Sequence, residues 1–283
     1  MTTHAIELAT QHGRVTGIGA DGEQGKPLIV CIPGGSYNAH YFDLPGHSLI
    51  EAAQERGFPV VALDRPGYGG SDPVGGPTRF AANADVLADA IGELWKQHAD
   101  SSPGVVLIGH SMGGAVAFHI ASRTHSWPLL GVSATAIHVE APDVVLQAWD
   151  AVPDGVVVEF THEMRLMFMY GPEGTFDPEI LELAMKASEE IPVEELREVV
   201  GGWITDFPAI AAAVDVPVHY GLAEHENLWT STPESVRTFG DAFTSSPRVE
   251  TEHVKGVGHN IDHHLDSHSF HQRQLDFAES VTP

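Results

Sequence analysis

The sequence predicts an α/β fold, with a mostly parallel, doubly wound sheet and an inserted helical cap. Short apolar runs rich in β-branched residues, such as 27–32 and 104–108, alternate with segments such as 80–95 that carry apolar residues at helical spacing. This alternation is typical of a parallel sheet with helices on both faces. It stops after His138, where mostly helical segments begin. A sharp glycine-rich turn around Ser111, between a strand and a helix, is the third observation.

The first half of the chain, taken in order, predicts the strands and helices of the sheet layer. Two weakly alternating stretches indicate short antiparallel strands, and the continuous apolar runs after them indicate buried central strands. A helix with apolar residues on one side should pack on the sheet. The predicted strands are 5–8, 14–18, 27–32, 59–63, 104–108 and 130–137, and the predicted helices are 49–56, 80–95 and 114–121.

The segment 139–206 predicts a helical cap inserted into a core formed by residues 1–138 and 207–283. It is rich in methionine and acidic residues, and glycine and proline punctuate its helical stretches. The alternative is that these helices complete the core itself. The sheet pattern returns after the segment. Predicted helices are 159–170, 178–188, 193–203 and 267–281, and predicted strands are 216–221 and 248–254.

The composition describes an acidic globular protein and disfavours several classes of partner. The 14 basic and 39 acidic residues give a formal net charge of −25, and such a surface repels nucleic acids and anionic membranes. Cys31 is the single cysteine, so an internal disulfide is impossible. Neither a signal peptide nor an apolar run long enough to span a bilayer is evident. We therefore expect a cytoplasmic protein with no membrane or nucleic-acid partner.

The turn at Ser111 predicts a nucleophilic serine. Residues 109–113 read Gly-His-Ser-Met-Gly, which matches the G-x-S-x-G pattern of a nucleophile elbow, and the strand before it and the helix after it are the context that this pattern needs. The N–H of Met112, in the first helical turn, should favour a negative charge. A serine that merely caps a helix would explain Ser111 but not the small residues on both sides.

A serine hydroxyl needs a neighbouring base, and His259 is the histidine best placed to supply one. There are 18 histidines, so position decides between them. His259 is flanked by glycine and follows the last predicted strand, where an α/β sheet gathers its reactive groups. His110 is adjacent to Ser111, but the sharp turn should point it elsewhere. His138 also follows a strand and would be the alternative.

The base needs a carboxylate that holds the imidazole ring, and the oxyanion needs two N–H donors. The acid should lie between Ser111 and the histidine in the chain, which makes Glu226 the first choice, with Glu224 and Glu140 as alternatives. Met112 supplies one N–H group. The loop after the first central strand should supply the other, and Gly35 is best placed for it.

The five histidines at positions 259, 263, 264, 268 and 271 raise the question of a metal site. His264 and His268 are four residues apart on a predicted helix face, a spacing that zinc ligands use. No nearby cysteine supports a metal, and His259 already has a role. The sequence therefore predicts neither a metal nor a cofactor.

The chain resembles the α/β-hydrolase superfamily over nearly its whole length. The resemblance rests on residues 33–35 after the first central strand, residues 64–71 after the next strand, and the elbow at Ser111. The 224–226 loop and the Gly258-His259 pair complete it.

The resemblance implies that Ser111 is the nucleophile, His259 the base and Glu226 the acid, with Gly35 and Met112 as the oxyanion hole. It also implies a helical lid after the sixth strand, which matches 139–206. The chain departs from the pattern at two positions. Pro33 stands where many members have histidine, and Glu226 stands where aspartate is usual. The longer acid can serve only if its loop recedes.

These observations predict a serine hydrolase that cleaves a carboxylic ester, lactone or thioester of a small apolar substrate through an acyl-serine intermediate. The alternatives are a carbon–carbon bond hydrolase with the same three residues, and a non-catalytic ligand receptor that keeps the pocket. Apolar cap residues could contact the substrate or form the core of the cap. These residues are Met164, Met167, Phe168, Tyr170 and Trp203.

Overall fold

A mixed, mostly parallel sheet with helices on both faces organises the protein, as the alternation of apolar runs predicts. The structure is a computed structural model that describes residues 3–74 and 79–283. The strands in chain order are β1 (His4–Thr10), β2 (Gly13–Ala20), β3 (Leu28–Ile32), β4 (Val60–Leu63), β5 (Val105–His110), β6 (Leu129–Thr135), β7 (Val157–Val158), β8 (Ile191–Pro192), β9 (Val218–His225) and β10 (Val249–Gly258).

The helices lie between these strands and after the last one. They are α1 (Leu49–Glu55), α2 (Arg79–His98), α3 (Met112–Ala121), α4 (Asp143–Asp150), α5 (His162–Phe168), α6 (Glu179–Met185), α7 (Val193–Val200), α8 (Gly202–Ala213), α9 (Pro233–Asp241) and α10 (Ser267–Ser280).

The sheet has the strand order β1-β2-β4-β3-β5-β6-β9-β10. Strand β2 pairs antiparallel with both β1 and β4. The other neighbours in this sheet, in the order β4-β3-β5-β6-β9-β10, pair in parallel. The central strands β3, β4 and β5 are buried at every position, which is why they read as continuous apolar runs. Their carboxyl ends meet at one edge of the sheet, and the loops that leave this edge carry the residues described below. The predicted mostly parallel α/β fold is confirmed.

Strand β9 is longer than its sequence pattern predicts. The predicted strand ends at residue 221, whereas β9 continues to His225, where it pairs with Gly258 of β10. The extension brings Glu226 to the end of a strand next to the end of β10. The cause is the partner strand, because the pairing with β10 supplies hydrogen bonds that a polar run such as 224–225 cannot obtain alone.

Helices dominate the segment 139–206, but they differ from the predicted ones. The predicted helix 193–203 is two helices, α7 and α8, which meet at Gly201, and α8 continues to Ala213, past the predicted boundary of the cap. Helix α4 was not predicted, although Val145 and Trp149 are four residues apart and both buried. Strands β7 and β8 form a short antiparallel pair. The division into core and cap stays a prediction.

The helices of the described residues, 3–74 and 79–283, include none that is both long and apolar enough to cross a membrane.

Helix α3 lies very close to the sheet at two glycines that flank Ser111. A Cβ atom on Gly113 would be 2.1 Å from the carbonyl oxygen of Ile32 and 2.6 Å from that of Pro33. A Cβ atom on Gly109 would be 2.7 Å from the Cα of Gly114. No real side chain tolerates such distances, so glycine is required at both ends of the turn.

We expect Gly113→Ala to destabilise the protein strongly, because the added methyl group overlaps two backbone carbonyl oxygens. The loss in free energy of unfolding should be about 3 kcal/mol or more. Gly92→Ala in α2 is the matched control, because its Cβ would contact only Trp127, at 3.6 Å, and alanine favours a helix by about 0.5–1 kcal/mol. Urea unfolding of both variants tests this. Wild-type stability of Gly113→Ala would contradict the close approach.

Candidate active site

Ser111 occupies the sharp turn between β5 and α3 in a strained backbone conformation. Its φ is 51° and its ψ is −125°, a region that residues with a side chain rarely adopt. The conformation is held from both sides. The Ser111 N–H donates to the carbonyl oxygen of Thr135 in β6 at 2.7 Å, and the Ser111 carbonyl accepts from the N–H of Gly114 at 2.8 Å.

His259 follows the last residue of β10 and contacts Ser111. The distance from His259 Nε2 to Ser111 Oγ is 3.0 Å, which is a normal hydrogen-bond length between a hydroxyl and a ring nitrogen. The loop that carries His259 is fixed by its neighbour, because the Asn260 N–H donates to the carbonyl oxygen of Met169 at 2.8 Å.

Glu226 contacts the other ring nitrogen of His259. Its Oε1 and Oε2 atoms are 3.0 Å and 2.9 Å from His259 Nδ1, and the N–H of Leu228 donates to Oε1 at 3.0 Å. Only 2% of the His259 side chain and none of the Glu226 side chain are exposed to solvent. The three predicted residues therefore form one hydrogen-bonded line from carboxylate to imidazole to hydroxyl.

The two alternative acids point elsewhere. Glu224 accepts from Lys255 Nζ at 2.8 Å and from the N–H of Gly256 at 3.0 Å, and these hydrogen bonds lower its pKa to about 2. Glu140 is exposed on the surface, and its carbonyl oxygen accepts from the N–H of Thr230. Of the three acids, Glu226 alone contacts His259.

Gly35 and Met112 line the same cavity as the serine and the histidine. Among the turns, loops and caps of the described part of the chain, neither N–H donates to a backbone acceptor. Met112 is the first residue of α3, where a helix leaves its N–H groups unpaired.

The cavity over Ser111 is mostly apolar. None of the five apolar residues that could contact a substrate or form the core of the cap lines it: Trp203, for example, is buried and donates to the carbonyl oxygen of His138. The walls come from other residues of the 139–206 segment and its surroundings. They include Trp149, Phe160, Met169, Leu196, Val199 and Trp229.

The two other histidines considered as a base have different partners. His110 lies under His259, with 5.2 Å between the ring centroids, and its ring stacks on Tyr41. Burial lowers the pKa of His110 well below its ordinary value, so the ring is neutral. His138 contacts the Tyr220 hydroxyl at 3.1 Å, does not line the cavity, and has its pKa lowered to about 4 by burial.

His264 supports the loop of His259, a role that the sequence did not reveal. Its Nε2 atom accepts from the N–H of Gly258 at 2.9 Å and from the N–H of Gly171 at 3.0 Å, and its Nδ1–H donates to the carbonyl oxygen of Asn260 at 2.8 Å. These bonds require the neutral ring, and burial lowers its pKa to about 4. The signal in the sequence that this loop needs support was the pair of glycines before His259, Gly256 and Gly258.

The predicted helix face with His264 and His268 is wrong, because α10 begins only at Ser267. The ring of His271 contacts the buried carboxylate of Asp262 at 3.0 Å, and the ring of His263 contacts the carbonyl oxygen of Tyr41 at 3.2 Å. Within residues 3–74 and 79–283, no group of three or more histidine, cysteine or acidic side chains is placed to hold a metal ion.

Buried neutral histidines should make the protein sensitive to acid. Burial and the nearby Arg273 lower the pKa of His219 to about 4, against 6.5 in the unfolded chain. Between these values the unfolded state binds the extra proton, so the stability present above pH 6.5 is lost as the pH falls towards 4. This one ring should account for about 2 kcal/mol at pH 5. Urea unfolding at pH 7 and pH 5 should show a smaller loss for His219→Gln than for wild type.

The matched control for this measurement is His268→Gln, because His268 is exposed. Its loss on acidification should equal that of wild type. An equal loss in all three proteins would contradict a neutral His219 in the fold.

Comparisons with known proteins show the family to which the chain belongs. A family model described as "Alpha/beta hydrolase family" matches residues 29–272. Protein phosphatase methylesterase 1 of Bos taurus is 30% identical over 129 residues, which is 45% of this chain and 32% of that protein. The chain thus spans about a third of the length of this relative.

Solved structures share the fold over the whole chain. A thermophilic esterase from Thermogutta terrifontis superposes with a TM-score of 0.70 at 20% identity, covering 99% of this chain and 100% of that one. A putative aryl esterase from Burkholderia cenocepacia has a TM-score of 0.68 at 14% identity, over 98% and 99% of the two chains. The family model covers most of the chain, and the sheet and the elbow are those that the sequence predicts. The protein therefore belongs to the alpha/beta hydrolase family.

Proposed function

We propose that this protein is a serine hydrolase that cleaves a carboxylic ester of a small apolar acid through an acyl-serine intermediate. The observation that carries the proposal is the line of hydrogen bonds from Glu226 through His259 to Ser111. A receptor has no need for all three groups in contact, whereas nucleophilic catalysis by serine needs each of them.

In the first half of the reaction Ser111 attacks the ester. Its Oγ atom forms a bond to the carbonyl carbon while His259 Nε2 takes the hydroxyl proton. Glu226 stabilises the resulting imidazolium through Nδ1–H and keeps the ring oriented. The carbonyl oxygen becomes an oxyanion, which the N–H groups of Gly35 and Met112 bind. The intermediate then collapses, the carbon–oxygen bond to the alcohol breaks, and His259 gives the proton to the leaving oxygen.

In the second half a water molecule releases the acid. His259 takes a proton from the water as its oxygen attacks the acyl carbon, and the oxyanion forms again in the same place. Collapse breaks the bond to Ser111 Oγ, which recovers its proton from His259. Lactones and thioesters pass through the same intermediate, so they belong to the same proposed substrate class.

The polarity of the cavity supports an apolar acyl group. Its walls are mostly aromatic and aliphatic.

The names of similar proteins support an ester as the substrate. The Bos taurus relative is named a methylesterase, and the titles of the two solved structures describe esterases.

Replacing Ser111 by alanine should abolish turnover of p-nitrophenyl acetate and leave the fold intact, because the hydroxyl is the proposed nucleophile. We expect kcat to fall by about 10⁴-fold or more. Labelling by a fluorophosphonate should be lost as well. Ser122→Ala is the matched control, because Ser122 caps the far end of α3 and its hydroxyl bonds to His119. Full activity of Ser111→Ala would refute the proposal.

The role of the acid is tested by Glu226→Gln against Glu224→Gln. The amide cannot stabilise the imidazolium, so we expect kcat to fall by about 10²- to 10⁴-fold in Glu226→Gln. Glu224→Gln loses only an exposed pairing with Lys255 and should keep wild-type kcat. The reverse pattern in steady-state kinetics would show that the wrong acid is assigned.

A further inference from the structure

Arg65 is a fully buried cation that connects the cap segment with the loop of Gly35. None of its side chain is exposed, and its Nη2 atom is 3.0 Å from Glu195 Oε2 of α7, which is 2% exposed. The Tyr68 hydroxyl donates to the same oxygen at 2.9 Å. Burial of an ion pair is costly unless further hydrogen bonds satisfy both partners, so the remaining bonds of Arg65 matter.

These remaining bonds go mainly to the backbone just before Gly35. The Nε atom donates to the carbonyl oxygen of Pro33 at 3.1 Å, and Nη2 lies 3.4 Å from the carbonyl oxygen of Gly34. The Nη1 atom donates to Asn83 Oδ1 at 3.2 Å. The guanidinium therefore holds two successive carbonyl groups of one loop at the same time.

The Gly34 carbonyl and the Gly35 N–H belong to one planar peptide group. In a trans peptide the C=O and N–H bonds point in opposite directions. A cation that binds the carbonyl on one side therefore fixes the direction of the N–H on the other side. It also polarises the peptide, which makes the N–H a stronger donor.

The loop needs such anchors because its backbone is strained. Ser36, the next residue, has a φ of 61°, which is unfavourable for a residue with a side chain. Its carbonyl oxygen accepts from the N–H of Glu189 at 2.9 Å, and Tyr37 forms an isolated bridge with Ser188. The loop is thus held by Arg65 on one side and by the 188–195 part of the cap segment on the other.

We propose that Arg65 is the positioning residue of the oxyanion hole, and that its pairing with Glu195 makes the hole depend on the docking of α7. The proposal rests on the function proposed above. Leu196 and Val199 of the same helix line the cavity. A substrate that contacts them and holds α7 in place therefore also fixes the position of Glu195. Glu195 then orients Arg65, which directs the N–H of Gly35 at the developing oxyanion.

A purely structural role is the competing explanation, and a double variant separates the two. Removing one partner of a buried pair leaves an uncompensated charge, whereas replacing both by apolar residues is often neutral. Arg65→Met/Glu195→Met should therefore regain the stability that each single variant loses. It cannot regain the hydrogen bonds to the Pro33 and Gly34 carbonyls, so activity should not return.

The experiment measures urea unfolding, kcat and KM on p-nitrophenyl acetate, and affinity for a methyl trifluoromethyl ketone. The carbonyl carbon of the ketone forms a bond to Ser111 Oγ, and the hydroxyl proton of Ser111 passes to His259. The ketone oxygen becomes the hemiketal oxygen and takes the place of the oxyanion. For the double variant we expect kcat and ketone affinity to fall by about 10- to 100-fold while KM changes by less than about threefold. Arg56→Met is the control, because Arg56 pairs with α10, away from the site.

A double variant with wild-type stability and wild-type kcat would overturn the proposal. If it does not fold, Arg65→Lys decides, because a lysine cannot bind Glu195 and both carbonyls at once. Folded Arg65→Lys should then show the same split between kcat and KM, and unchanged kcat would refute the role. These failures differ from failure of the proposed function, which would appear as activity in Ser111→Ala.

Discussion

The close contact between helix α3 and the end of strand β3 is the constraint on which the rest of the molecule depends. At Gly113 a single methyl group would overlap the carbonyl oxygens of Ile32 and Pro33. The contact buries the helix against the sheet, and it also places the start of α3 beside the loop that leaves β3. Met112 and Gly35 therefore line one cavity next to the strained Ser111. Packing of the core and assembly of the site are the same event here.

The surroundings of His259 show how a buried polar network can hold one reactive side chain. His264 binds backbone groups of Gly258 and Asn260, on either side of His259, and His110 lies beneath the His259 ring. The Asp262 carboxylate accepts from the Tyr41 hydroxyl and contacts the ring of His271. The histidines near the end of the sequence raise the question of a metal site, but His263, His264 and His271 contact neighbours within the protein. Burial lowers the pKa of His110, His263 and His264, so these three rings stay uncharged beside the line from Glu226 to Ser111.

Much of the sheet and three residues of the candidate site could be predicted from the sequence, because they follow local rules. Strands read as apolar runs, the elbow has its own spacing, and reactive groups follow strand ends. The order of residues in the chain favoured Glu226 but left Glu224 open as an alternative, because the pairing that occupies Glu224 is with Lys255 in the neighbouring strand. The contacts of Arg65 with Glu195 and those of His264 with Gly171 were invisible for the same reason. Each joins residues far apart in the chain, and no local pattern encodes such a contact.

The order of the strands has a consequence for the time at which the protein becomes active. Strand β3 lies between β4 and β5, and the partners of Ser111 arrive 115 and 148 residues after it. A chain emerging from the ribosome completes its elbow long before the imidazole has been synthesised. In the proposed mechanism, nascent and truncated chains therefore carry an inert hydroxyl. The hydroxyl meets its proposed base only after strand β10 has docked.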